Sequence, residues 1–267
     1  MPPRSASPRP WPVVLLTDFG PGSTYVGQMK LVLESNAPGV RTIDLAHDLP
    51  AQDTVAAALI LKGALPCLPR PAVLCAVVDP GVGSARRILA AGFGPGRVAL
   101  LPDNGLLAAL QAWGRPTALR AVTNARCFRH PVSPVFHGRD CFAPVAAKLA
   151  QGFGLAKLGP AVQPSSLAPL PWPRVRAGLQ GVRVIYADRF GNLVTNLAAD
   201  AVPPGAKLAI RLGRRKLTLV SHYAEARPGQ AVALWGSFGH LEIAVRDGSA
   251  ARILKVGVGS AVAVRAV

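Results

Sequence analysis

Three aspartates each follow directly on a short apolar run. Residues 13–16 lead into Thr17-Asp18-Phe19-Gly20, residues 73–78 into Asp79-Pro80-Gly81-Val82-Gly83, and residues 98–101 into Pro102-Asp103-Asn104-Gly105. One Asp beside Pro or Gly is ordinary turn chemistry, because its short side chain bonds back to the local backbone. Three at successive strand ends point to a site, since ligands of α/β sheets gather at the carboxyl ends of the strands. On these loops alone the chain reads as an α/β enzyme acting on a small ligand.

The elements that must position such loops are legible around them. Residues 25–34 and 54–65 have helical spacing, 40–45 returns as a strand, and strand, polar loop, helix, strand is the rhythm of an α/β sheet. Residues 159–173 are Pro-rich and read as a linker. Beyond them the texture changes to short β-rich segments at 182–186, 207–212, 216–220, 231–235, 240–245 and 261–264, bounded by Gly, Pro or Asp. The expected architecture is a disordered lead-in over 1–12, an α/β sheet domain over 13–160, a linker over 161–175 and a smaller C-terminal β-barrel domain over 176–267.

Bulk composition excludes several classes. Half of the 267 residues are hydrophobic and 16% are charged, which places the chain among folded proteins. No apolar run reaches the roughly 18–20 residues needed to span a bilayer, and residues 1–12 lack the apolar stretch of a signal peptide. The net charge of +17 divides almost evenly, with an excess of +8 over residues 1–173 and +9 over 174–267. A nucleic-acid-binding tail would concentrate it, and the one dense run, Arg214-Arg215-Lys216, reads as a hairpin turn. Cys67, Cys75, Cys127 and Cys141 fit neither a zinc ribbon nor a CxxC redox pair. They read as reduced thiols in a cytoplasmic protein, and no metal-ligand spacing appears.

The particular strings go further than composition. In chain order they are Thr17-Asp18-Phe19-Gly20 with Tyr25-Val26-Gly27-Gln28-Met29-Lys30, then Val78-Asp79-Pro80-Gly81-Val82-Gly83 with Arg86, then Pro102-Asp103-Asn104-Gly105. Phe136-His137-Gly138-Arg139-Asp140 follows, and last comes Asp188-Arg189-Phe190-Gly191-Asn192 with Thr195-Asn196. Five motifs in this order, across residues 13–265, resemble the S-adenosyl-L-methionine hydroxide adenosyltransferase family, relatives of the fluorinase and chlorinase enzymes. The resemblance implies a homotrimer with active sites at subunit interfaces. It also implies nucleophilic attack at the ribose C5′ with methionine as leaving group, S-adenosyl-L-methionine being the substrate and no further cofactor taking part. It carries the catalytic triad onto Asp79, Arg86 and His137.

Those residue types suit the reaction. His137 is expected to accept the proton of the attacking water, Asp79 to orient the partners and Arg86 to favour the anionic nucleophile. The resemblance places Asp18 on the ribose hydroxyls, Asp188 and Asn192 on the methionine and ribose regions, Phe136 and Tyr223 against the adenine, and Ser237 on the methionine carboxylate. A carboxylate at position 79, where halogenating relatives carry an uncharged residue, favours water over halide. Ser23 departs from the pattern, standing where many relatives have an Asp. A halogenase and a non-catalytic regulator that senses S-adenosyl-L-methionine are the alternative readings.

Overall fold

Apolar runs without polar alternation are the signature of parallel strands covered on both faces, and β1 (Val13–Thr17) is buried along its whole length. The computed structural model describes residues 9–267, and the chain divides into two compact units, the first ending at Leu170 and the second running Pro171–Val267. Of the expected lead-in, residues 1–8 lie outside the described residues. Trp11 already donates its backbone N–H to the Ala150 carbonyl, 2.8 Å away, and packs on the core.

The first unit continues with α1 (Thr24–Asn36), β2 (Thr42–Ala46), α2 (Thr54–Ala64), β3 (Ala72–Val77), β4 (Ile88–Gly92), β5 (Arg97–Pro102), β6 (Ala118–Ala121) and α3 (Ala143–Ala150). The strands form one sheet in the order β2-β1-β3-β5-β4-β6. β1 lies parallel to β2 and β3, and β3 parallel to β5, whereas β4 runs antiparallel to β5 and β6. The carboxyl ends of β1, β3 and β5 therefore share one edge with the start of β4, and that edge collects Asp18, Asp79, Asp103 and the arginines that precede β4. Helix starts are chemically specified: the Ser23 hydroxyl caps α1, and Asp53 caps α2 by accepting from Val55 and Ala56 N–H. Met29 and Leu33 of α1 meet Val145 and Leu149 of α3 and the sheet residues Leu15, Cys75 and Val77 in the core. Full burial of each such side chain contributes about 1.5–3 kcal/mol, so the edge rests on a stiff support.

β4 and β6 escape sequence reading. Ile88-Leu89-Ala90-Ala91-Gly92 is Ala- and Gly-rich, a composition with weak strand preference, and it becomes a strand because small side chains fit between two buried faces.

In the second unit β7 (Val184–Ala187), β8 (Leu193–Ala198), β9 (Leu208–Leu212), β10 (Arg215–Leu219), β11 (Ala231–Trp235), β12 (His240–Val245), α4 (Ala250–Leu254) and β13 (Ala263–Ala266) follow. Their sheet order is β13-β9-β10-β11-β12-β8-β7. The β9–β10 hairpin turns at Gly213-Arg214, pairing Leu212 with Arg215, so the basic run marks a turn and its strand start. The sheet curls into a half-barrel around Leu193, Leu197, Ile210, Leu217, Leu241 and Ile243. Backbone bonds from Val184 to Ser260 (2.9 Å) and from Val262 to Val182 (2.9 Å) bring its two ends together. β8 carries the Thr195-Asn196 motif, and Asn196 serves structure: it accepts from Arg183 N–H at 2.8 Å and donates to the Pro173 and Gly181 carbonyls.

Candidate active site

The loop after β3 closes on itself through Val82 N–H to the Asp79 carbonyl and Ser84 N–H to the Gly81 carbonyl. Gly83 has φ +80°, and a Cβ there would lie 2.5 Å from the Pro134 carbonyl oxygen. Only glycine lets this loop press against the segment that carries His137. The contact assembles three charged or titratable side chains. Arg86 Nε donates to Asp79 Oδ1 at 2.9 Å, its Nη2 donates to Asp79 Oδ2, and the same Nη2 reaches His137 Nδ1 at 2.8 Å. The Arg86 and Asp79 side chains are only 10% and 5% exposed, so this bidentate pair acts with little solvent screening.

The pairing dictates the state of the imidazole. A guanidinium has donors and no acceptor, so Nδ1 accepts, and the neutral ring carries its proton on Nε2. Burial lowers the His137 pKa from its ordinary 6.5 and the Arg86 charge lowers it further, against the opposing pull of Asp79 and Asp140. The ring is neutral at pH 7, with an N–H pointing away from Arg86.

Asp140, quoted in a motif but given no role by sequence reading, holds this segment in place. It is fully buried and accepts from Arg139 Nε at 2.7 Å, Arg139 Nη2 at 2.8 Å, Arg129 Nη1 at 3.1 Å and Ser133 N–H at 2.9 Å. Hydrogen bonds from Arg139, ahead of the other donors, hold its carboxyl down to about 2. The backbone from His137 enters a single π-helical turn, Gly138–Phe142, before α3. Phe136, expected against adenine, packs in the core cluster. It is 7% exposed, edge-on to Phe19 and Tyr25, with the Arg139 guanidinium 5.0 Å from its ring centre.

The other strand-end aspartates separate in role. Asp18 is half-buried and spends Oδ2 on Gln52 N–H at 2.7 Å. Asp103 is tied to Arg87, whose Nε donates to Oδ2 at 2.8 Å, while Ala168 N–H donates to Oδ1 at 3.0 Å and Arg87 also reaches Ser166. That pair fastens the Pro-rich stretch to the first unit as far as Ala168 and is a structural fixture.

In the second unit Asp188 and Asn192 are in contact. Asp188 Oδ1 accepts Asn192 N–H at 2.8 Å, and its Oδ2 accepts the Asn192 amide at 3.0 Å. Ser237 is exposed in the tight turn joining β11 to β12. Tyr223 is 44% exposed while its hydroxyl donates to Glu242 Oε1 at 2.6 Å. Glu242 was missed in the sequence, where the signal was an acid inside the otherwise apolar Leu241-Glu242-Ile243-Ala244-Val245. Among the described residues no group of three or more His, Cys, Asp or Glu converges to hold a metal ion, and no helix is long and apolar enough to cross a membrane.

A guanidinium that bridges a carboxylate and an imidazole at the carboxyl ends of the parallel strands fits an α/β enzyme. The chain belongs to the S-adenosyl-L-methionine hydroxide adenosyltransferase family, whose N-terminal domain matches residues 13–159 and whose C-terminal domain matches residues 182–263. It is 40% identical over 263 residues to an (R)-S-adenosyl-L-methionine hydrolase of Salinispora tropica, covering 97% of this chain and 99% of the relative. It is 42% identical over 257 residues to a protein of the same name from Thermus thermophilus, covering 91% and 95%. The crystal structure of an uncharacterized conserved protein from Thermotoga maritima superposes with a TM-score of 0.82 at 30% identity, covering 95% of this chain and 99% of that one.

The Asp140 clamp has a measurable signature. Removing the charge with Asp140→Asn leaves Arg139 and Arg129, themselves 25% and 48% exposed, without their carboxylate, and loss of charge-assisted hydrogen bonds costs about 1.5–3 kcal/mol. At about 2–4 °C per kcal/mol for a chain near this size, Tm at pH 7 is expected to fall by roughly 5 °C by calorimetry. Because the folded-state pKa lies below the unfolded value near 3.8, the stabilisation is complete above that value and is lost as pH falls toward about 2. The variant should lack this acid-labile component, and identical wild-type and variant melts from pH 2 to 7 would remove the clamp.

Proposed function

We propose that this chain hydrolyses S-adenosyl-L-methionine to adenosine and L-methionine, the oxygen of hydroxide bonding to the ribose C5′ as the C5′–S bond breaks and its electron pair returns to sulfur. The observation that carries the reading is the bridge made by Arg86 Nη2 between Asp79 and His137, in a chain so similar over its length to curated hydrolases. Hydroxide and sulfonium annihilate opposite charges on the way to products, so a site poor in water favours the reaction over bulk solution. Arg86 supplies the cation that lowers the cost of hydroxide, the water having lost its proton to bulk solvent, Asp79 fixes the guanidinium plane, and His137 donates its Nε2–H to the oxygen. This replaces the expected role of His137 as proton acceptor: the one lone pair of the neutral ring is already spent on Arg86. The names of the relatives specify the (R) epimer at sulfur, a preference we extend to this chain and one that no residue disclosed in the sequence.

Asp18 is assigned to the ribose diol, Asp188 and Asn192 to the methionine and ribose regions, Ser237 to the methionine carboxylate, and the half-exposed Tyr223 ring to adenine. Phe136 backs the His137 segment from the core. We further propose that the curled sheet is a small closed barrel, that the active species is a homotrimer with the site shared between subunits, and that the protein works in the cytoplasm. Free Cys67, Cys75, Cys127 and Cys141 support the last point.

Incubation of the separated sulfonium epimers in heavy-oxygen water tests the reaction. Adenosine and methionine should appear in equal amounts from the (R) epimer, with the label at the 5′-oxygen; unlabelled adenosine would sink direct attack from water.

His137→Ala should lower kcat about 10²-fold or more, as removal of one preorganised donor does, while KM stays within a few-fold. The pH profile separates donor from base. A base whose pKa lies below 6.5 gives kcat/KM that is flat above neutrality. Hydroxide held by donors gives kcat/KM that keeps rising with pH. A flat profile restores the base.

Assembly is checked by light scattering and by mixing. Subunits carrying Asp18→Ala and subunits carrying Asn192→Ala should regain activity when co-assembled, and a fully active monomer contradicts a shared site.

A further inference from the structure

Glu242 is a buried carboxylate that the reaction above does not use. It lies on β12, is 7% exposed, and spends one oxygen, Oε1, on the Tyr223 hydroxyl. Its other oxygen occupies the space beside Gly236, where a Cβ would come within 2.6 Å of Oε2. Gly236 leads into the Ser237 turn, and the charge of Asp188 is near enough to be felt at Glu242. Glu242 is thus the point at which the Tyr223, Asp188 and Ser237 elements of the second unit converge.

We propose that Glu242 is a specificity-determining residue whose carboxylate accepts the α-ammonium of the methionine half of the substrate. This rests on the substrate assigned above. A carboxylate in this position is costly to keep charged: burial, ahead of other causes, raises its pKa, and the neighbouring Asp188 raises it further, against the lowering by Tyr223. A bound cation relieves both penalties. The substrate offers two cations, a sulfonium and an ammonium, and they differ in chemistry. The sulfonium carries no N–H or O–H, whereas the ammonium has three donors. An oxygen beside a glycine, with hydrogen-bonding capacity beyond the Tyr223 contact on its twin, suits a donor.

The test is calorimetric affinity of the full-length protein for three ligands. S-adenosyl-L-methionine has both cations, S-adenosyl-L-homocysteine has the ammonium alone, and 5′-methylthioadenosine has neither. Hydrogen bonds to charged groups contribute about 1.5–3 kcal/mol, or roughly 10–150-fold in Kd. Glu242→Gln should weaken the first two ligands by a similar factor in that range and leave 5′-methylthioadenosine unchanged. Gly236→Ala, which displaces the carboxylate without removing it, should give the same pattern, and it keeps the test open if Glu242→Gln fails to fold. Loss for all three ligands makes Glu242 structural, loss for S-adenosyl-L-methionine alone makes it the partner of the sulfonium, and no loss removes it from recognition; each overturns the proposal. Wild-type protein that binds none of the three instead refutes the substrate assignment, a separate failure.

Discussion

A guanidinium donates hydrogen bonds and accepts none, and the chemistry of the first unit is organised by that asymmetry. One face of Arg86 is committed to Asp79, which fixes its plane, and the remaining N–H of Nη2 is committed to His137. Each commitment narrows the next. The imidazole becomes an acceptor at Nδ1, so it presents a donor at Nε2. Charge balance inside the triad comes from Asp79, so the ring can stay neutral without leaving the guanidinium unpaired in a site with little solvent.

Such a constellation works only if its parts are held still, and the fold supplies two kinds of restraint. Backbone restraint comes from Gly83, which lets two loops touch, and from the sheet edge that delivers Asp79 from the end of β3 and Arg86 from the start of β4, the two strands that flank β5. Electrostatic restraint comes from Asp140, a carboxylate with no exposure that gathers Arg129, Arg139 and the Ser133 backbone around the turn after His137. Both set where the imidazole sits, which is how preorganisation is built from ordinary interactions.

Much of this was legible in the residue order, and the gaps have physical causes. Strands 231–235 and 240–245 were read to the residue, because short runs rich in aliphatic side chains and bounded closely by glycines leave little choice. β4 was invisible because its Ala-Gly composition says nothing until both faces are covered. Asp79, Arg86 and His137 were found as separate motifs, yet the tautomer of His137 could not be read, since it depends on a contact across 51 positions. Asp103 looked equivalent to Asp79 in one dimension; the partner arginine, Arg87 or Arg86, is what separates a tie to Ser166 and Ala168 from a contact with His137. Phe136 was ambiguous for a similar reason: an aromatic ring beside a catalytic motif says nothing of which neighbours take its faces.

The adjacency of Arg86 and Arg87 has a consequence for how this family can diverge. Consecutive residues entering a strand point to opposite sides, and here one side holds Asp79 and the other holds the Asp103 fastening. That assignment is set by the register of β4, where Ile88 stands opposite Pro102 of β5 and Leu89 opposite Ala121 of β6, and not by the number of residues in the loop before it. Divergence in the length of that loop can therefore be taken up by the loop itself, whereas a one-residue slip of β4 against its neighbours would turn each guanidinium to the opposite face and part Asp79 from the arginine seated beside the imidazole.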